Sequence, residues 1–308
     1  MGTEDKVMET DLSGIQKVLL EMIKTLADVC EKNGLRYCLY CGTLLGAIRH
    51  RGFIPWDNDA DIVMPLTDYR RLLRIAEREL PEGYVLQYPG HGAGHINPWA
   101  KLYKTGTTML LRSQAAFDKN WGIYIDIYPM IGGPSAPWLR KAQQFLLKAA
   151  KGLMAIDLFQ KTGNYDLASE WLQATGNSEK YLLAVRLLQV IPGPVRRAAA
   201  RLLLRLTMLP TEKSSRIGSI DSADFCLKYE RAWWKQTTTA VFEDGEFAVP
   251  AEYDRILTTI YGDYMTPPPK DRQVSHGSGK GDVIYDVHRD YSEYRKELLG
   301  PLHKQKRG

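Results

Sequence analysis

The stretch from Phe53 to Met64, FIPWDNDADIVM, sets three carboxylates, Asp57, Asp59 and Asp61, at every second position directly before an apolar run. Alternate residues of a strand share a face, so Asp59 and Asp61 project together from the start of ADIVM, with Asp57 just ahead of it. Like charges held that close repel and raise one another's pKa unless a cation neutralises them. A solvated turn would avoid the conflict, but Trp56, Ile62, Val63 and Met64 put the segment at the border of a core. A hard divalent ion resolves it: Mg2+, or Mn2+ in its place, takes one or two carboxylates together with substrate phosphate oxygens. An EF-hand loop opens similarly, but its sixth place is Ile62 where Gly is required, and its twelfth is Asp68 where a bidentate Glu is required. A nucleotide-sugar glycosyltransferase also uses Asp-x-Asp, and spacing alone leaves that alternative open.

Ile15, Leu19, Met22, Ile23, Leu26 and Val29 recur at helical spacing between Ser13, as cap, and Gly34, as stop. LRYCLYC (35–41) has the density of a buried strand, which Gly42 and Thr43 turn into the short helix LLGAIRH. Pro55 makes FIPW a loop, Ala60–Met64 the next strand, and Thr67 the cap of a helix closed by Pro81. Further strands are expected at 84–88, 98–104, 107–112 and 121–130. Residues 137–210 change to helical, Leu-, Ala- and Arg-rich texture. TTAVFEDGEFAVP then reads as a hairpin turning at Asp244-Gly245, and AEYDRILTTIYG as a last core helix. The expectation is one α+β domain over 1–308, a mixed β-sheet core with flanking helices, interrupted by a helical insertion at 137–210.

Gly42-Thr43 lies at a strand-to-helix turn, where free backbone N–H groups face an anion. A phosphate cradle followed by a strand bearing Asp-x-Asp is the layout of the nucleotidyltransferase superfamily, whose third carboxylate comes from a later strand. Asp126, inside the apolar GIYIDIYP, is the candidate, because an acid there needs a partner or a metal. At this point the residues resemble a family. CGTLLGAIRHRGFIPWDNDADIVM is similar to the LicD signature GTLLGAxRxxGxIPWDxDxDI, and the likeness continues at KLYKTGT (101–107), YIDIYPM (124–130) and residues 247–276. The resemblance skips the helical middle. Asn58 and Ala60 depart from the common pattern at the off-phase positions, with little chemical consequence expected.

The resemblance implies a metal-dependent phosphotransferase of nucleotidyltransferase-like fold. LicD proteins move phosphocholine from CDP-choline to cell-surface glycans, and the related fukutin-related proteins move ribitol phosphate from CDP-ribitol. It makes Asp57, Asp59, Asp61 and Asp126 metal positions, with Asp59, Asp61 and Asp126 catalytic, and Gly42 and Thr43 the phosphate site. The implied partners are a CDP-activated donor, CDP-choline or a CDP-polyol, and a glycan or lipid-linked glycan acceptor. Arg49, Lys101, Arg272 and His276 are candidate donor contacts. The alternatives are a nucleotidyltransferase that releases pyrophosphate and a non-catalytic nucleotide-binding protein.

A net charge of +5 is too diffuse to indicate nucleic acid. Of the cysteines, Cys38 and Cys41 form one C-x2-C pair without a second, and read as buried free thiols of a reducing compartment. The N-terminus is acidic and polar, unlike a signal peptide, and no apolar run approaches the roughly 20 residues of a membrane span. The expected location is the cytoplasm. Arg196, Arg197, Arg201 and Arg205 among Leu and Ala leave two readings of 137–210: a layer packed on the sheet, or peripheral contact with the inner face of the membrane.

Overall fold

Helix α1, Leu12–Lys32, buries the stripe its spacing predicts, Ile15, Leu19, Met22, Ile23, Leu26 and Val29, together with Cys30. Each such side chain contributes roughly 1.5–3 kcal/mol by leaving water. The helix begins before Ser13, which therefore lies inside it and is not its cap. Gly34 stops it at φ 58°, a backbone conformation that Gly adopts without strain. The computed structural model describes residues 12–92, 94–162, 190–209, 214–220, 228–275 and 283–305.

The main sheet runs β1 (Cys38–Leu39), β2 (Asp61–Pro65), β6 (Tyr124–Gly132), β4 (Ala100–Lys104) and β3 (Tyr84–Gln87). β2 and β6 are parallel and every other pair is antiparallel, so the sheet is mixed. The far end of β6 also carries β7 (Arg216–Ser219), which pairs with β8 (Tyr229–Glu230). β6 is the spine: Ile125 and Ile127 are fully buried between helices α1 and α3 (Leu66–Glu79), both of which pack on it. Two small sheets stand apart. β9 (Thr237–Phe242) and β10 (Gly245–Pro250) form a hairpin, and β5 (Thr108–Leu111) pairs with β11 (Val283–Asp286). The remaining helices are α2 (Cys41–Arg49), α4 (Pro137–Thr162), α5 (Gly193–Thr207), α6 (Tyr253–Tyr261) and α7 (Tyr291–Gln305).

Three further local expectations need correction. The strand at 35–41 shortens to Cys38–Leu39, because Cys41 takes φ 44° and already starts α2. Thr67 is within α3, whose preceding residue is Pro65 at the end of β2. Gly245 pairs with Phe242, so the hairpin turns at Glu243-Asp244, one residue early, with Glu243 at φ 57°. Cys30 and Cys38 are buried free thiols, pushed up to about 12 by burial, while free Cys41 is half-buried and Cys226 lies outside the described residues.

The described part of 137–210 is helical. Leu147, Ala150 and Met154 of α4 pack on Ala200, Leu204 and Met208 at α5, and the pair rests on Ile131 and Ile220 at the end of the sheet. EKYLLAVRLLQVI lies almost wholly outside the described residues. Among the described residues no helix is long and apolar enough to cross a membrane.

Candidate active site

Parallel β2 and β6 set Asp61 directly beside Asp126 in register. In-register partners of neighbouring strands project to the same face, so a strand pairing brings together two carboxylates 65 positions apart. Asp59 and Asp57 precede β2 in the loop that enters it. Burial, and then the charges of Asp59, Asp126 and Asp57, raise Asp61 well above the ordinary carboxylate range. Its nearest relief is a long hydrogen bond from the Tyr128 hydroxyl, 3.3 Å to Oδ1. Asp57 is pushed up to about 8 by burial first and then by Asp59, whose carboxyl lies within hydrogen-bonding reach.

The loop is held from several directions. Gln16 of α1 donates to the Asp57 carbonyl at 2.9 Å and to the Ile54 carbonyl at 3.3 Å. Asn58, 2% exposed, donates to the Tyr285 hydroxyl at 2.8 Å, so β11 braces the acidic stretch from the C-terminal end of the chain. The off-phase position expected to matter little is therefore an anchor.

Helix α2 begins against this loop. No side chain caps it. Its first turn carries Gly42, where a Cβ would meet Asp57 Oδ2 at 2.7 Å, so the absence of a side chain is what lets the carboxylate lie there. Thr43 turns its hydroxyl to the strand and accepts the Asp61 N–H at 2.9 Å, which fixes the start of β2 against the start of α2. The positive φ of Cys41 places a strained residue at this junction.

Asp126 is held differently. Its Oδ1 accepts the Trp99 indole N–H at 2.5 Å and lies 2.8 Å from the ammonium of Lys101, its cross-strand partner on β4. Lys101 is buried, with its ammonium 3.4 Å from the centre of the Tyr124 ring. Beyond it, burial and the charge of Lys101 lower Lys119 to about 7, over the face of Trp121. Burial lowers His95 to about 4, and its Nε2 lies 2.8 Å from the Trp99 carbonyl. Of these three, Lys101 is the one that meets the acidic cluster, through Asp126. Trp99, Lys119 and His95 were not among the residues singled out from sequence, since nothing in their local spacing marks them.

The structure thus gathers Asp57, Asp59, Asp61, Asp126, Gly42, Thr43 and Lys101. Arg49 instead donates to the Tyr264 carbonyl at 2.7 Å, tying α2 to the segment after α6. Arg272 is exposed in a short turn at Lys270–Arg272, and His276 lies outside the described residues. Trp56 stands edge-on to His50, with ring centres 6.4 Å apart. Among the described residues no three acidic, His or Cys side chains close into a complete cation cage. The donor chemistry still fits Mg2+ or Mn2+, which needs only one or two carboxylates when substrate oxygens complete the shell. A separate cavity of about 480 Å3 opens at the other end of β2 and β6, lined by Arg36, Arg70, Val63, Met130 and Arg231.

Residues 34–152, which contain all seven gathered positions, match the family described as LicD/FKTN/FKRP, nucleotidyltransferase domain. A lipopolysaccharide cholinephosphotransferase LicD of Haemophilus influenzae is 26% identical over 265 residues, covering 85% of this chain and 94% of that protein. Over these residues the chain is similar to the LicD family. The ribitol 5-phosphate transferase FKRP of Homo sapiens is 44% identical over 52 residues, 17% of this chain and 10% of that protein. An uncharacterized protein of Rickettsia prowazekii is 33% identical over 87 residues, 28% of the chain and 33% of the relative.

Proposed function

We propose that the chain transfers a phospho-alcohol group, phosphocholine in the first instance, from a CDP-activated donor to a hydroxyl of a cell-surface glycan or its lipid-linked precursor, with release of CMP. The observation that carries this reading is the in-register pair Asp61 and Asp126, joined by Asp57 and Asp59 at the uncapped start of α2. Likeness to a cholinephosphotransferase along nearly its whole length favours choline as the transferred alcohol, and the shorter likeness to a ribitol 5-phosphate transferase makes a polyol the second donor to try.

Asp59 and Asp61, with Asp57 and Asp126 beside them, would hold Mg2+ or Mn2+. The ion would neutralise the donor's diphosphate and the charge that develops on departing CMP. The N–H groups of the first turn of α2 and its dipole suit a phosphate oxygen. Thr43 holds Asp61 at that turn through the backbone. Lys101 and Trp99 fix Asp126 by one oxygen, which orients the carboxylate to take the proton of the acceptor hydroxyl. The new bond joins the acceptor oxygen to the phosphorus distal to cytidine. The bond to the CMP oxygen breaks, and the proton passes to Asp126. Catalysis in the cytoplasm follows from the CDP donor.

The test is CMP release from CDP-choline, CDP-ribitol and CDP-glycerol, each with Mg2+ or with EDTA, for the wild type and Asp61→Ala. Metal-dependent release from one donor, lost in the variant, is expected. Release of pyrophosphate from a nucleoside triphosphate with none from CDP donors would replace this reading with nucleotidyl transfer. Metal-dependent binding of a donor without product would leave a non-catalytic binding protein.

A further inference from the structure

Helix α5 is apolar on two opposite sides. One side, Ala200, Leu204 and Thr207, is buried against α4 and the sheet. The other carries Val195, Leu202, Leu206 and, just past the helix end, Leu209, all exposed, with Leu202 at 56%. These positions follow i, i+7, i+11 and i+14, one stripe roughly 20 Å long at 1.5 Å per residue. Arg197, Arg201 and Arg205, also exposed, run alongside at i, i+4 and i+8. On α4, Trp138 and Phe145 are 68% and 69% exposed, two turns apart, with exposed Lys141 and Lys148 on the same face. A helix packed on a core normally turns charge to water on its outer side. Large apolar side chains aligned along the outer sides of two packed helices, rather than scattered singly, mark a surface made to be covered.

We infer that these exposed outer sides of α4 and α5 dock on an anionic lipid bilayer. The chemistry decides the occupant. An apolar stripe of Leu, Val, Trp and Phe, edged by Arg and Lys and not by carboxylates, suits acyl chains below and phosphate headgroups beside it. Long basic side chains reach headgroups while their stems stay on the apolar layer. A second copy of the chain would bring the same positive edge against itself. The surface deepens the proposed function, since a membrane-borne acceptor would meet an enzyme lying on the membrane. Its test does not depend on turnover, so the two readings can fail separately.

The experiment is co-sedimentation of the full chain with phosphatidylcholine vesicles with and without anionic phosphatidylglycerol, whose negative surface attracts Lys and Arg. The wild type should sediment with the anionic vesicles at low salt, less so at high salt, and not with the neutral ones. Leu202→Glu/Leu206→Glu and, independently, Trp138→Ser/Phe145→Ser should each lose about tenfold or more in vesicle affinity while circular dichroism stays unchanged. Arg197→Gln/Arg205→Gln should lower affinity and flatten its salt dependence. No sedimentation of the wild type at low salt overturns the proposal. So does a wild-type dimer in analytical ultracentrifugation that Leu202→Glu/Leu206→Glu dissolves while vesicle binding is unaltered.

Discussion

Gly42→Ala isolates what the start of α2 does for the acidic cluster. An added Cβ would stand 2.7 Å from Asp57 Oδ2, whereas ordinary contact begins near 3.4 Å, so the carboxylate must retreat by about 0.7 Å or swing away. The fold should tolerate this. The neighbour is the end of a side chain, and Ala in a helix gains on the order of 1 kcal/mol over Gly. Function should not, because a misplacement of about 1 Å at a reacting centre costs roughly 100-fold, and 0.7 Å therefore on the order of tenfold. The expected result is a melting temperature within a few degrees of wild type and about tenfold slower Mg2+-dependent CMP release. Gly46→Ala is the contrast. Its Cβ would press on the Gly52 carbonyl oxygen, which is backbone and cannot turn away, so stability should fall by about 1–3 kcal/mol. Wild-type turnover and Mg2+ dependence in Gly42→Ala would refute the claim that Asp57 works from its place beside α2.

Three further outcomes are expected. In EDTA, raising the pH from 6.5 to 8 should lower the melting temperature of wild type relative to Asp57→Asn: Asp57 holds its proton up to about 8 when folded but only to 3.8 when unfolded, so its stabilisation is lost as pH climbs through the folded value. His95, lowered to about 4, and Lys119, lowered to about 7, act with the opposite sign below 6.5 and above about 7 respectively, but both are common to wild type and Asp57→Asn and cancel in the comparison; a difference that does not change with pH would count against the coupling. Asp61→Asn should abolish turnover yet raise the metal-free melting temperature by about 2 °C, on the order of 1 kcal/mol for a chain this size, whereas Asp68→Asn should lower it; differential scanning fluorimetry in EDTA reads both signs. Lys101→Met should destabilise by about 3–5 kcal/mol in urea unfolding by leaving Asp126 buried without its cation, and adding Asp126→Asn should recover most of that; an additive double variant would show that the pair is not coupled.

Much of this was legible in the chain where the information is local. The α1 stripe announces itself by its 3.6-residue period, and the alternation in WDNDADI places Asp59 and Asp61 on one face before any fold is known. Asp126 stands out as an acid inside an apolar strand. What brings these together is not local. The parallel pairing of β2 with β6 sets the Asp61–Asp126 register, and the antiparallel pairing of β4 with β6 delivers Lys101 to Asp126. Asn58 and Tyr285 are 227 positions apart, and Gln16 reaches the acidic loop from 41 away. Residues such as Trp99 acquire a role only through such pairings. The shortened β1 has another cause: strand density at 35–41 was real, but Cys41 goes left-handed to start α2 where it does.

The same molecule supplies the comparison that separates a carboxylate kept for structure from one kept for chemistry. Asp68 is 5% exposed, and the fold surrounds it with Arg36 at 2.8 Å and Arg71 at 3.6 Å. Asp126, which belongs to the proposed catalytic set, is held as well, by Lys101 and Trp99 on the one oxygen Oδ1. Where this chain buries an acid to hold itself together, it provides a cation or a donor. Asp61 receives one long bond from Tyr128 and three neighbouring negative charges, and Asp57 faces Asp59. Asn would fill either position with similar shape and less repulsion, so stability does not account for these acids. An arrangement that works against the resting fold and sits at an uncapped helix start is what the proposed function calls for, in which a cation would bind between the carboxylates and an incoming phosphate.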